Sequence, residues 1–518
     1  MKKQLTYFSR VLCAVILSFG LVLTSCEDGF LGDGENTEQG ENDNGESDGT
    51  DDGTANGGVG ETNDAITNAS GGVTLTVMLR NLTETGVAFY GEAVLAENYT
   101  ASSFGILYSE EETFTAANAQ CLQIVDIYGT NYSVSTSSLK PSTTYYYTSY
   151  IKQDDLYKYG EIKSFTTLEY PYNVQTGLNL SSATNLSSSA SANCYIISKA
   201  GLYKFKTVKG NSSESVGEVA SASILWETFG TSETPESCDL IKAFCYNDGY
   251  IAFQTAETFK EGNALIAAKD ARGTILWSWH IWLTDQPQGQ VYYNNSGTMM
   301  DRNLGAISAT PGDVGALGLL YQWGRKDPFL GSSSNSSSTV AKSTITWPSA
   351  VKSTSSTGTI SYATANPTTF IGYNSSNKDW YYTGSSSTDN TRWTTSDKSK
   401  SIYDPCPAGW RVPDGGSNGV WSKAKGSSSY FDYSYDSTNE GMNFSGKFGS
   451  ASTIWYPASG CRSGYDGSLH KFGSYGFYCS ASPDSDGAYE LIFYNNGYVF
   501  PSDSSNRAGG SSVRCLQE

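Results

Sequence analysis

The hydrophobic and polar positions of this chain change pattern several times along its length. After a basic start (Lys2, Lys3, Arg10), the run Val11 to Val22 is almost wholly apolar. Residues 27 to about 70 then carry Gly, Asn, Asp, Glu, Ser and Thr with almost nothing to bury. Such a segment cannot offset its ordering entropy, so the pattern predicts a solvated tether. From Gly72 to about Leu168 the period is two: "VTLTVML" puts Val73, Leu75, Val77 and Leu79 on one face, and "GVAFYGEAV" and "SSFGILYS" behave similarly. That alternation predicts half-buried strands.

Residues 172 to 290 are again strand-rich, in "NCYIIS", "GLYKFKTV", "SILWETF", "LIKAFCY", "GYIAFQT" and "NALIAAKDARGTILWSWHIWL". The last reads as a hairpin turning at Asp270 to Gly273. Its second strand has Ile275, Trp277, Trp279, Ile281 and Leu283 on one face, and Leu276, Ser278, His280 and Trp282 on the other. Both faces are partly apolar, which predicts a strand covered on both sides. His280 among three tryptophans reads as a hydrogen-bonded filler.

The pattern changes at "MMDRNLGAISATPGDVGALGLLYQWGRKDPF". Val314, Leu317, Leu320 and Tyr321 recur at helical spacing, with Asp313 near the start and Gly324 near the end, predicting a helix. A Ser/Thr/Gly stretch (331–400) carries "DWYYTG" and "TRWTT"; "DPCPAGWRVP", a short helical "GVWSKAK" and glycine-punctuated strands close the chain.

Composition sharpens this picture. The 518 residues exceed what one core organises, so several domains are expected. Only 16% are charged, while 36 Tyr, 11 Trp and 21 Phe favour strands over long helices. A net charge of -19 argues against nucleic acid as a partner, because phosphate binding needs a basic surface. The basic start and apolar run form a secretory signal, too short for the ~20 residues of a membrane span. Its closing "LTSC" resembles a bacterial lipobox, which implies acylation of Cys26, and the "CEDG" that follows resembles the export signal of Bacteroidetes surface lipoproteins. The expected location is the outer membrane, lipid-anchored and surface-exposed. Outside the cytoplasm the remaining cysteines favour disulfides over redox catalysis.

Two further resemblances set the domain plan. Leu139, Pro141, Thr143 and Tyr145 match the L-x-P-x-T-x-Y signature of fibronectin type III domains, in which the Tyr hydroxyl returns to nearby backbone at a sandwich corner. "MDRNLGA", "YQWGRKDPF", "DPCPAGWRVP", "YCSAS" and "SVRC" together resemble the Fibrobacter major paralogous domain, which implies a C-type-lectin-like fold. The expected fold class is mainly β and multidomain. The plan is a signal (1–25), an acidic tether (26–70), a fibronectin-III-like sandwich (71–169), a β-rich middle domain (170–290) and an α+β C-type-lectin-like domain (291–518). That last fold brings the terminal strand back beside the early helix, implying a Cys406–Cys515 disulfide. The bridge closes a loop of about 110 residues and contributes about 4–5 kcal/mol. Cys461 and Cys479 stand where the family commonly has aromatics, which suggests a second bridge between them across a hairpin. Cys238 and Cys245 form a weaker pair; Cys121 and Cys194 are left unpaired.

Catalytic readings find little support. As a nucleophile Cys406 has no local histidine, and His470 would have to arrive from a Gly/Ser-rich loop. Two histidines and no C-x-x-C leave zinc little to hold. "GGSNG" at 415–419 fits G-x-S-x-G literally, but no apolar strand precedes it to form a nucleophile elbow. The acidic tether lacks the calcium-loop order. The calcium-binding triplets of true C-type lectins are missing, and Asp484 and Asp486 are too generic to replace them. No catalytic residue, metal ligand or cofactor is expected. Trp380, Tyr381, Tyr382 and Trp393 are the candidate ligand-binding residues, since flat rings beside hydroxyls and amides suit a glycan or protein ligand; the alternative is that these rings plug the long loops. The functional expectation is non-catalytic adhesion or ligand binding at the cell surface. The other readings are a surface polysaccharide-processing enzyme and a structural stalk or fimbria-associated subunit.

Overall fold

The computed structural model describes residues 66–518, except 81, 83–85, 137–138, 169–172, 175–177, 375–377, 383, 385–388, 396–398, 427–432 and 486. The signal, Cys26, most of the tether and Asp486 lie outside the described residues. Strand accounts for 43% of the structure and helix for 4%, so the protein is mainly β and multidomain.

The first domain is a two-sheet sandwich. Its strands are β1 (Ile66–Ser70), β2 (Val73–Arg80), β3 (Val87–Leu95), β4 (Ser103–Ser109), β5 (Gln120–Gln123), β6 (Asn131–Thr136), β7 (Thr144–Gln153), β8 (Leu156–Tyr159) and β9 (Lys163–Thr166). One sheet runs β1-β2-β3-β6; the other runs β5-β4-β7, with β8 and β9 both on β7. Alternation drives the packing: Val73, Leu75, Val77 and Leu79 are all buried against Phe89, Ile106, Tyr147 and Phe165. The Tyr145 hydroxyl accepts the Lys140 amide at 2.9 Å, and its ring stacks on Phe165. This is the corner of a fibronectin-III-like sandwich, and its hydrogen bond contributes about 1 kcal/mol. β1 lies ahead of residue 71, where the sequence pattern placed the domain's start.

The next segment is also built of two facing sheets. One is ordered Asn173–Val174, Ile241–Asn247, Tyr250–Thr255, Leu202–Lys206, Thr184–Asn185; the other Cys194–Ile197, Ile275–Leu283, Gly262–Lys269, Ser221–Thr228. Gly262–Lys269 and Ile275–Leu283 pair as a hairpin. Asp270 closes it by accepting the Arg272 and Thr274 amides at 2.9 and 2.8 Å. The two faces of Ile275–Leu283 enter different cores. Trp277, Trp279, Ile281 and Leu283 pack with Phe205, Phe244 and Phe253, whereas Trp282 packs with Tyr321, Trp323, Cys406 and Cys515. The second core draws from both sides of residue 290, so the structure has no seam there.

His280 sits on that second face, 1% exposed, with Nε2 2.9 Å from Asn263 Oδ1 and Nδ1 3.4 Å from the Tyr321 hydroxyl. Burial holds its pKa down to about 3, so the ring is neutral at physiological pH.

The last segment centres on a seven-stranded sheet ordered Leu320–Gln322, Gly510–Ser512, Ser459–Arg462, Tyr475–Asp484, Gly487–Tyr494, Val499–Ser505, with Leu469–Phe472 beside Ser459–Arg462. The helix expected from Asp313 to Gly324 is replaced by one 3-10 turn, Val314–Ala316, and the strand Leu320–Gln322. Asp313 caps the turn, accepting the Gly315 amide at 2.8 Å. Gly318 then ends it at φ +73, where a Cβ would lie 2.9 Å from the Leu304 carbonyl oxygen. The helical spacing marked a single turn that buries Leu317. "GVWSKAK" does contain a helix, Val420–Lys425, which buries Val420, Trp421 and Ala424.

Candidate functional site

Cys406 and Cys515 form a disulfide, the one bridge among the described residues, with Cα atoms 6.1 Å apart across 109 residues. Its surroundings are those of a staple. Asp404, fully buried, accepts the Cys406 and Val412 amides at 2.8 and 2.9 Å. Lys400 donates to the carbonyls of Cys406, Pro407 and Trp410 at 2.9, 3.0 and 2.6 Å. Burial raises the Asp404 carboxyl to about 6 and lowers the Lys400 ammonium. The short runs between prolines in "DPCPAGWRVP" are thereby anchored by one carboxylate and one ammonium.

The second bridge does not form. Cys461 and Cys479 are free thiols: their strands pair in parallel with Gly460 opposite Gly476, a register that leaves the two cysteines two residues out of step, and on its other side Cys461 faces His470. Gly510–Ser512 pairs with both thiol-bearing strands, through Arg462 and Tyr478. Cys479 instead donates to Glu490 Oε1 at 3.3 Å. Burial pushes the Cys461 thiol up to about 12 and also raises the Cys479 thiol well above its ordinary value, so neither is a ready nucleophile. Cys238 and Cys245 are not bridged either.

The aromatics at 380–393 are also corrected. Trp380 is 1% exposed and Trp393 0%; Tyr381 and Tyr382 are half-buried. The indole N–H of Trp380 donates to the Trp323 carbonyl at 2.7 Å, and that of Trp393 to the Arg325 carbonyl at 3.0 Å. The Arg392 guanidinium lies 4.8 Å from the Trp323 ring and 4.9 Å from the Trp380 ring, and forks onto the buried Asp379 carboxylate. Arg507 adds a second guanidinium 4.4 Å from Trp323. The two tryptophans plug the loop insert onto the domain and offer no face to a ligand, while Tyr381 and Tyr382 keep part of their surface open. A local signal for this exists in the sequence, since Asp379 and Arg392 each adjoin a tryptophan.

Exposed aromatics occur elsewhere, on an element that sequence reasoning passed over. A groove of about 690 Å³ runs along the outer strand Val499–Ser505, its described lining including the rings of Tyr498, Phe500 and Tyr433 and the polar Asn496, Asp503 and Lys425. Tyr498 is 63% exposed and Phe500 38%. Their rings lie near-parallel, 19° apart with centroids at 6.4 Å. The series continues inward: Phe500 to Tyr494 is 5.3 Å, Tyr494 to Tyr475 is 4.5 Å, and Tyr475 to Phe477 is 6.0 Å. Lys471 stands 4.7 Å above Tyr475. The strands explain the row. Tyr475 is registered opposite Tyr494, and the Tyr494 amide bonds the Tyr498 carbonyl across the turn Asn495–Gly497. The signal was "YNNGYVFP": a turn flanked by Tyr, an aromatic two residues on, and a proline marking an edge strand. Such rings with rim amides and carboxylates can hold an apolar ligand face while bonding its polar edges.

A second cleft, of about 630 Å³, is lined by Ser187, Ser191 and Ser212 with Asn211 and Lys206, and has no aromatic ring among the described residues of its wall.

No protein-family model matches the chain, and no curated protein matches it. Among solved structures, a redesigned β-sandwich protein is 14% identical, covering 20% of this chain and 96% of its own, at TM-score 0.16. A fibronectin type III domain derived from the human KIAA0970 protein is 12% identical, covering 21% of this chain and 85% of its own, at TM-score 0.15. The FN1-FN3 domains of chicken CNTN1 are 12% identical, covering 43% and 72%, at TM-score 0.14. Likeness at this level carries no functional argument; the sandwich rests on its own sheet order and on the Tyr145 corner.

Proposed function

We propose that this protein is a lipid-anchored surface protein whose work is non-catalytic ligand binding. In this reading acylated Cys26 holds it to the outer membrane. The acidic tether and the fibronectin-III-like sandwich carry a C-terminal domain of the Fibrobacter major paralogous, C-type-lectin-like type. The observation that carries the binding role is the open groove faced by Tyr498 and Phe500. Large exposed rings gathered in one concavity on a polar chain are a feature of recognition surfaces. The cysteines considered for chemistry support the same reading, because Cys406 is bridged and the Cys461 and Cys479 thiols are held protonated by burial.

The test uses cells displaying the full chain. Wild-type cells are expected to adhere to surfaces coated with polysaccharide or extracellular protein, and Tyr498→Ala/Phe500→Ala cells to lose adhesion at equal display. Cys26→Ser is expected to abolish both fatty-acid labelling and display. Turnover of a polysaccharide by the purified chain, or adhesion indifferent to the double substitution, contradicts the proposal.

A further inference from the structure

The groove's edge, its charge and its length each narrow what it takes. An extended peptide would add to the outer strand by backbone hydrogen bonds. That edge is blunted: Pro501 has no N–H to give, and a bulge between Glu490 and Ile492 breaks the strand's register. An anionic polymer would need a cluster of cations. Among the described residues the groove instead sets one cation, Lys425, against one anion, Asp503, with Lys471 standing apart over Tyr475, on a chain of net charge -19. A lipid tail would need an unbroken apolar wall, but Asn496, Ser502 and Asp503 interrupt it, and Tyr498 carries a hydroxyl. A single sugar would use one or two rings, whereas Tyr498 and Phe500, which line the groove, are followed beyond its lining by Tyr494 and Tyr475 in a continuous row.

From these observations we propose that the groove binds a neutral polysaccharide chain lying along Val499–Ser505. The C–H faces of its sugar rings rest on Tyr498 and Phe500, its hydroxyls meet Asn496 and Asp503, and the chain continues toward Tyr494 and Tyr475. The proposal rests on the binding role given above and names its ligand class.

The experiment is affinity electrophoresis and calorimetry of the full chain carrying Cys26→Ser, which keeps it soluble. The probes are galactomannan, arabinoxylan and mixed-linkage β-glucan as neutral polymers, with polygalacturonate and heparin as anionic ones. At least one neutral polymer is expected to bind, with affinity falling about tenfold for Tyr498→Ala and further for Tyr498→Ala/Phe500→Ala. Asp503→Asn is expected to retain most of the binding. Circular dichroism and melting of each variant establish that the fold is intact. Binding only to polygalacturonate or heparin overturns the neutral assignment and leaves the ligand-binding role standing. Binding to none of these polymers, while the adhesion of displaying cells to a protein-coated surface depends on Tyr498, overturns the polysaccharide assignment alone. A neutral polymer that binds the double variant as well as wild type overturns the groove as its site. Loss of every interaction, adhesion included, removes the broader role as well.

Discussion

Two aromatic-rich loops in the C-terminal segment look alike in sequence and do opposite things. Around residue 380 the rings are closed in by charge: Arg392 and Arg507 stack against Trp323, Asp379 takes the Arg392 fork, and both candidate tryptophans spend their N–H on backbone carbonyls. Around residue 498 the rings mostly contact each other, with Lys471 over Tyr475 at the inner end of the row, and two of them remain open to solvent. What separates plug from platform is the supply of buried partners. An indole with a carbonyl for its N–H and a guanidinium for its face belongs to the core; a phenol with neither stays available.

The comparison breaks most sharply at the buried ion pair. Arg392→Ala leaves Asp379 without its fork inside the protein, and denaturant unfolding is expected to show a loss of about 3–5 kcal/mol. Trp380→Ala should cost a similar amount through its cavity. Neither loss should occur at the platform. Removing the Cys406–Cys515 bridge with Cys515→Ser comes next. A loss of about 2–5 kcal/mol is expected, read as a lower urea midpoint, and non-reducing peptide mapping of wild type should recover the 406–515 pair.

A smaller effect has the opposite sign. Glu490, buried beside Cys479 on the sheet that bears the platform, has its carboxyl raised to about 7 by burial. The folded state therefore holds the proton more tightly than the unfolded chain, whose carboxyl titrates near ~4.3. The stability this gives is fully present below that value and is lost as pH rises through about 7. Glu490→Gln should accordingly stabilise the protein by about 2–3 kcal/mol at pH 8 and do little at pH 4, checked by urea melts at both. Parallel pH curves for the two proteins contradict it. The smallest expected change is that of Tyr498→Ala, within about 0.5 kcal/mol of wild type, because an open ring forfeits little on truncation.

The parts of this fold that were legible in the sequence are those set by near neighbours. Alternation over Val73 to Leu79 marks a strand, L-x-P-x-T-x-Y a corner that closes on Lys140, and Asp270 to Gly273 a hairpin whose second strand is covered on both faces. The misreadings concern partners far along the chain. Trp380 is covered by Trp323 and by Arg392, itself tied with Arg507 to Asp379. The Cys461 and Cys479 strands do lie side by side, but their parallel register, shared with the distant Gly510–Ser512, keeps the two thiols out of step. Spacing in the sequence reports neither. Helical periodicity misled over Val314 to Tyr321 because Gly318 turns the chain after a single turn. The platform was overlooked for a different reason: its rings come from three strands and the turn that joins two of them, and only their lateral register makes them a row.

Whether a ring is open or closed is the claim on which plug, platform and ligand all depend. Hydroxyl-radical footprinting of the native full chain, read residue by residue by mass spectrometry, measures it directly. Tyr498 and Phe500 should be modified readily, while Trp380 and Trp393 stay protected until the protein is unfolded. Fast modification of Trp380 and Trp393, with Tyr498 protected, would contradict the account.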